Sequence, residues 1–181
     1  SVGKTGTKEA LGTVLSPQAK TTVSLGNLNN EWGAPLSLAR MPADAAYGVF
    51  EVGMNRPGEI APLSKLMHPD VAVITTIAAV HMANFSSTFD IADAKAEIFE
   101  GMSGGVGVLH RDNPYFPVLV AAACVAGVER VISFGAHPEA TARLMDVESD
   151  DGGQRVSARI DGREIDYRLA VPGRHWVMNS L

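Results

Sequence analysis

The sequence predicts an α/β fold: a mostly parallel sheet of the phosphate-loop type with helices on both faces, extended by a small antiparallel three-stranded meander. Three observations point there. Strand-like and helix-spaced apolar runs alternate from Thr7 to about Gly135. After His137 the pattern changes to alternating polar and apolar positions, with DDGG and DG between the runs. The chain also opens SVGKTGTKEA, where GKT leads straight into a helix-like run, as does the second half of G-x-x-x-x-G-K-[ST].

Thr7 to Leu15 reads as the helix after the GKT turn. Tyr47 to Val52 is a short apolar run, read as a buried strand ended by Gly53. Ile60, Leu63, Leu66 and Met67 fall at helical spacing, and Pro57 suits a helix start. PDVAVITTI is the next strand. From Phe89 to Met102 the side chains of Ile91, Ala94, Ile98 and Met102 share one helical face, with Asp90 as the expected N-cap. GVGVLHRD is a strand, PYFPVLVAAACVAG a helix closed by Gly127, and ERVISFG a strand. ATARLMDVES, GQRVSARI and REIDYRLAV form the meander, and PGRHWVMNSL begins a new helix. The expected divisions are a β/α core over 1–135, a meander over 138–171 and a helix start over 172–181, all within one domain spanning 1–181.

The 181 residues suffice for one domain with its own core. The net charge of −5 argues against a nucleic-acid-binding surface, which needs a basic stripe. It leaves room for a local anion site built from backbone N–H groups and a few cations. The single cysteine, Cys124, lies in VLVAAACVAGV and reads as a small buried hydrophobe. One cysteine fits a reducing, cytoplasmic setting. No run is long and apolar enough to span a bilayer. The absence of an initiator Met and of half the phosphate-loop pattern reads as a piece of a longer chain.

Several residues could carry chemistry. Gly3 would let the backbone approach phosphate, Lys4 would reach the β/γ-phosphates, and the Thr5 hydroxyl would bind Mg²⁺. Glu51 ends a strand, where carboxylates of open α/β sheets point into the ligand crevice. Taken alone, it reads equally as an acid facing solvent. His81 follows the VAVIT strand at the same sheet edge, and a lone loop histidine is more often a surface residue than a metal ligand. Lys95 sits mid-helix in IADAKAEIFEG, where a lysine is ordinarily solvated. His68, His110, His137 and His175 show no spacing of a structural metal site.

Six strings occur in one order: GKTGTKE, GNLNNEWGAPLSL, FEVGMNRPGEIAPL, PDVAVITTIAAVH, DAKAEIFEGM and PGRHWVMN. In that order they resemble the Mur ligases of bacterial cell-wall synthesis, and within them the type that adds D-alanyl-D-alanine to UDP-N-acetylmuramoyl tripeptide. E-x-G-x-N-x-P-G-E-I, here Glu51 to Ile60, is the most specific marker. The resemblance implies a central ATPase domain whose partners are the N- and C-terminal domains of the same chain. It implies ATP and two Mg²⁺ ions as cofactors, with Gly3, Lys4, Thr5, His175 and Asn179 on ATP. The metal ligands it implies are Thr5, Glu51, His81 and Lys95, the last as a carbamate, an anionic oxygen donor that suits a hard cation. Lys4, Lys95 and His81 become the catalytic residues, and Asn29 and Asn30 lie near substrate. The segment 172–181 becomes a helix start near the adenine site.

The chemistry so implied is ATP-driven amide formation through an acyl phosphate, in the bacterial cytoplasm, with the isolated stretch inactive. Four positions depart from the family pattern: Thr76 stands for an amide, Ala83 for an acid, Ala96 for glycine and Trp176 for asparagine. The last leads us to expect different packing of adenine. Two other readings stay open. One is a related ligase with another acceptor, such as a folate polyglutamate synthase. The other is a non-catalytic nucleotide-binding module, against which the joint presence of Lys4, Thr5, Glu51, His81 and Lys95 argues.

Overall fold

The structure is a computed structural model and describes residues 3–79 and 84–181. Helix α1 (Lys4–Leu15) begins directly after Gly3, earlier than the apolar spacing indicates. Gly3 turns the chain with φ 96°, a conformation that favours glycine, and its carbonyl accepts the Thr7 N–H at 3.0 Å. Strand β1 (Thr21–Val23) and helix α2 (Gly33–Ala39) follow. Neither is visible in the pattern, because three residues show no period and α2 is a short helix containing Pro35.

Strand β2 (Tyr47–Val49) pairs in parallel with β1, from Thr21↔Tyr47 to Val23↔Val49, in a two-stranded sheet. It is shorter than the expected buried strand, and Tyr47 is exposed. β1 is its only pairing partner among the described residues. Helix α3 (Ile60–Met67) buries Ile60, Leu63 and Ser64 and ends on His68 in the left-handed conformation.

The second sheet has six strands in the order β3 (Val71–Ile74), β4 (Val106–His110), β5 (Arg130–Gly135), β6 (Ala142–Asp150), β7 (Gly153–Ile160), β8 (Arg163–Leu169). β3 to β6 run parallel, and β6 to β8 antiparallel. The meander is thus continuous with the parallel sheet, because β6 pairs with β5 through Phe134↔Ala142 and Gly135↔Arg143 before turning to β7. The β7–β8 turn carries Asp161 and Gly162, both at positive φ, as a two-residue hairpin of the Asp-Gly kind requires.

Ala72, Ile74 and Leu109 line the core with Ile91 and Ala92 of α4 (Thr88–Ala96) and Leu119 and Ala123 of α5 (Phe116–Val125). The opposite face of β3 leaves Val71 and Val73 exposed. Ser87, rather than Asp90, is the N-cap of α4. Its Oγ accepts the Asp90 N–H at 3.2 Å, and Asp90 accepts the Ser87 N–H at 2.9 Å, a reciprocal capping box. The helix expected to reach Met102 tightens at Glu97 into a 3-10 turn (Glu97–Gly101) that packs on α3. Cys124 is exposed, because α5 buries Phe116, Leu119 and Ala123 and turns Cys124 and Val125 to solvent. Helix α6 (Arg174–Asn179) buries Val177 and Met178 against Leu144 and Val156 of the meander. Among the described residues no helix is long and apolar enough to cross a membrane.

The α3 contact with the 3-10 turn depends on Gly101. A Cβ there would collide with the Ser64 carbonyl, which is backbone and cannot yield. Gly101→Ala is expected to lower stability by about 1–3 kcal/mol, read as a shifted urea-unfolding midpoint.

Candidate active site

The start of α1, the segment after β1 and the end of β2 converge on one carboxylate. Glu51 is only 5% exposed. Its Oε2 accepts the Thr5 hydroxyl at 2.7 Å and its Oε1 the Asn29 Nδ2 at 2.7 Å. Lys4 Nζ stands 3.8 Å from Oε1. The Glu51 backbone N–H donates to Ser24 Oγ at 3.0 Å. Lys8, 3% exposed, donates from α1 to the carbonyls of Ser24 and Gly26 at 2.8 Å each and pairs with Glu9 at 3.1 Å. Lys8 therefore secures the Ser24 segment that in turn holds Glu51, a role the sequence reading missed.

A cleft of about 170 Å³ opens beside Glu51. Lys4, Asn29 and Asn30 line one part of it, and Asn55, Glu59 and Lys95 another. The structure thus brings Lys95 to the same cleft as Lys4. Lys95 is 7% exposed rather than solvated. Burial, and then the charge of Lys4, hold its amine below the ordinary lysine range. Asn29 also holds the strand-end loop, its carbonyl accepting the Gly53 N–H at 2.7 Å. Asn30 lines the cleft, while its Oδ1 accepts the Gly33 N–H at 2.8 Å and so caps α2.

A second cleft, of about 260 Å³, lies between the start of α1 and α6. Gly3, Lys4 and Thr5 face His175, Trp176 and Asn179 across it. A Cβ on Gly3 would collide with the Asn179 side-chain amide, and one on Gly6 would meet the Trp176 ring at 2.6 Å. Trp176 thus packs against α1 itself, a contact that asparagine is too short to fill. The His175 and Trp176 rings are 5.3 Å apart and tilted by 41°.

His81 and Ala83 lie outside the described residues. Thr76 is described: its hydroxyl accepts from Asn113 Nδ2 at 3.2 Å, and the same nitrogen donates to the Ile77 carbonyl at 2.9 Å. Asn113 so ties the segment after β3 to the start of α5. Ala96 is buried in the core, where a methyl is accommodated.

The sequence model of the Mur ligase middle domain matches residues 1–181. The chain belongs to the Mur ligase family. A UDP-N-acetylmuramoyl-tripeptide–D-alanyl-D-alanine ligase of Escherichia coli is 34% identical over 185 residues, a match covering 100% of this chain and 40% of that relative. This Mur ligase domain also superposes on MurF of Acinetobacter baumannii with a TM-score of 0.92 at 31% identity, over 99% of this chain and 39% of that one. MurF of Thermotoga maritima, solved in complex with ADP, gives 0.86 at 26% identity, over 99% and 41%. The chain spans about two-fifths of the length of these relatives.

One histidine of the Mur ligase domain gives its stability a pH dependence. His110 stacks on Phe134 at 5.0 Å, and neither ring nitrogen makes a hydrogen bond among the described residues. Asp112 is 3.7 Å away and Arg174 also acts on it, but burial dominates and pushes the imidazole down. The neutral ring is favoured in the fold. Its contribution is present above the unfolded-state value of about 6.5 and is lost as pH falls through the lower folded value. His110→Asn is expected to flatten the decline in urea-unfolding stability between about pH 7 and pH 5. An unchanged decline would assign it to other groups.

Proposed function

We propose that the protein containing this domain joins D-alanyl-D-alanine to the terminal carboxylate of a UDP-N-acetylmuramoyl tripeptide at the expense of ATP, in the cytoplasm. The observation that carries this reading is that Lys4 and Thr5 meet on the buried Glu51 carboxylate while Lys4 and Lys95 line one cleft beside it. The ligase names of the relatives support the substrate assignment.

The chain's own residues fit the chemistry. A carboxylate oxygen of the peptide attacks the γ-phosphorus, the bond to the β,γ-bridging oxygen breaks, and ADP leaves. The amine then attacks the acyl carbon, the bond to the phosphate oxygen breaks, and the nitrogen loses a proton. The first step brings two anions together. Lys4, on the first turn of α1, places a cation where that charge develops. Gly3 keeps the approach to the loop backbone clear. His175 and Asn179 flank the cleft proposed for adenine, with Trp176 as part of its wall.

Glu51 and Thr5 are a buried carboxylate and a hydroxyl already in contact, an oxygen donor set that fits Mg²⁺. Lys95 fits only once carbamylated, since an ammonium repels a cation, and an amine held below its ordinary range is the form that reacts with carbon dioxide. His81 is proposed for a second ion. Bound Mg²⁺ neutralises phosphate oxygens.

Two experiments test the reading on the full-length protein. Phosphate release from Mg-ATP and the tripeptide is expected to require D-alanyl-D-alanine, with Lys4→Ala slowing it about 10²–10³-fold. Release with glutamate instead would favour a related ligase with another acceptor, and none with either amine would leave a folate substrate to be tried next and then the non-catalytic reading. Incubation with ¹³C-bicarbonate is expected to give a carbamate carbon signal in the wild type that Lys95→Ala lacks.

A further inference from the structure

We propose that Glu97 is a positioning residue that fixes the 54–59 loop against the helix carrying Lys95, and that this spacing governs affinity for the carboxylate substrate rather than for nucleotide. The substrate half rests on the ligase reading above; the positioning half does not.

Lys95 lies in the last turn of α4, and Glu97 follows it at the start of the 3-10 turn. One Glu97 oxygen accepts the Gly58 N–H at 2.6 Å, and the other accepts those of Ile60 and Ala61 at 3.0 Å each. The Ile60 and Ala61 N–H groups belong to the first turn of α3, where intrahelical bonds cannot satisfy them, and Gly58 lies just before it. A helix is ordinarily capped by the residue just before it. Here that residue is Glu59, and its carboxylate goes to the Asn55 N–H at 2.7 Å instead. The cap comes from 36 to 39 residues away, through charge-assisted bonds favoured by the helix dipole.

The geometry has a consequence beyond capping. Asn55 and Glu59 line one wall of the cleft beside Glu51, and Lys95 lines it too. Glu97 is bonded to the segment bearing the first pair and lies two residues from Lys95. Its hydrogen bonds to Gly58, Ile60 and Ala61 reach no residue lining the α1–α6 cleft. Loosening Glu97 therefore moves the Asn55–Glu59 wall of one cleft, a wall that the other cleft, which shares only Lys4 with it, does not contain. Simple capping would lower stability with no such division.

The test uses Glu97→Gln and Glu97→Asp in the full-length protein. Glutamine keeps the volume but replaces one acceptor with a donor. It is expected to raise KM for the peptide about tenfold, with KM for ATP within about twofold of wild type. Aspartate keeps the charge and is expected to recover part of the loss. Amide exchange by mass spectrometry is expected to speed up over residues 53–62 in Glu97→Gln and stay unchanged over α1. Peptide KM unchanged, both KM values raised alike, or unaltered exchange over 53–62 would overturn the proposal. A wild-type protein without ligase turnover defeats the ligase reading and the substrate half with it, and exchange then decides the positioning half.

Discussion

Glu51 is a carboxylate held away from water, and its neighbours are arranged around that fact. Burying an unpartnered carboxylate costs several kcal/mol, about as much as a domain can spare. Thr5 and Asn29 satisfy its oxygens, Lys4 supplies the nearby opposite charge, and Ser24 receives its backbone N–H. Lys4 and Thr5 come from the start of α1, and Ser24 and Asn29 from the stretch after β1, so satisfying one charge fixes the start of α1 against the ends of β1 and β2. Lys8 completes the arrangement from below by gripping Ser24 and Gly26. The same set of contacts that makes the fold locally affordable is the one that presents a cation, a hydroxyl and a carboxylate together.

Lys95 adds the opposing problem. Burial of the Lys95 amine, and then the charge of Lys4, weaken its hold on a proton. A structural lysine would be better placed in solvent, where α4 has room for one. In the proposed reading, its position on the cleft is a cost borne for the chemistry of the site, since perturbed groups in clefts cluster at functional sites. The capping carboxylate of Glu97 nearby is not part of that cost, because three backbone N–H groups compensate it.

The legible parts of the fold and site were those with a local signature. Gly3, Lys4 and Thr5 are adjacent and precede a helix, and Glu51 follows an apolar strand run. The Asp-Gly turn at 161–162 and the helix stop at Gly127 also have local causes, and both hold. Lys95 was not legible from its surroundings, since IADAKAEIFEG reads the same for a solvated lysine; only the family resemblance marked it. Lys8, Ser24 and Glu97 were missed because their partners lie many residues away and leave no period or spacing. Cys124 misled for a related reason: an apolar helix of small residues does not say which of its faces is covered. Ser87 displaced Asp90 as the α4 cap because both members of the capping box are good caps and only the backbone decides between them.

The central claim is that the cleft around Glu51 activates a carboxylate by phosphorylation. The most direct measurement follows oxygen. The full-length protein is given Mg-ATP, D-alanyl-D-alanine and a tripeptide whose terminal carboxylate carries ¹⁸O in both positions, and the released phosphate is analysed by mass spectrometry. An acyl phosphate must carry one carboxylate oxygen into the phosphate, so one ¹⁸O per phosphate is predicted, with the other retained in the new amide. Amide formation with unlabelled phosphate would contradict the account.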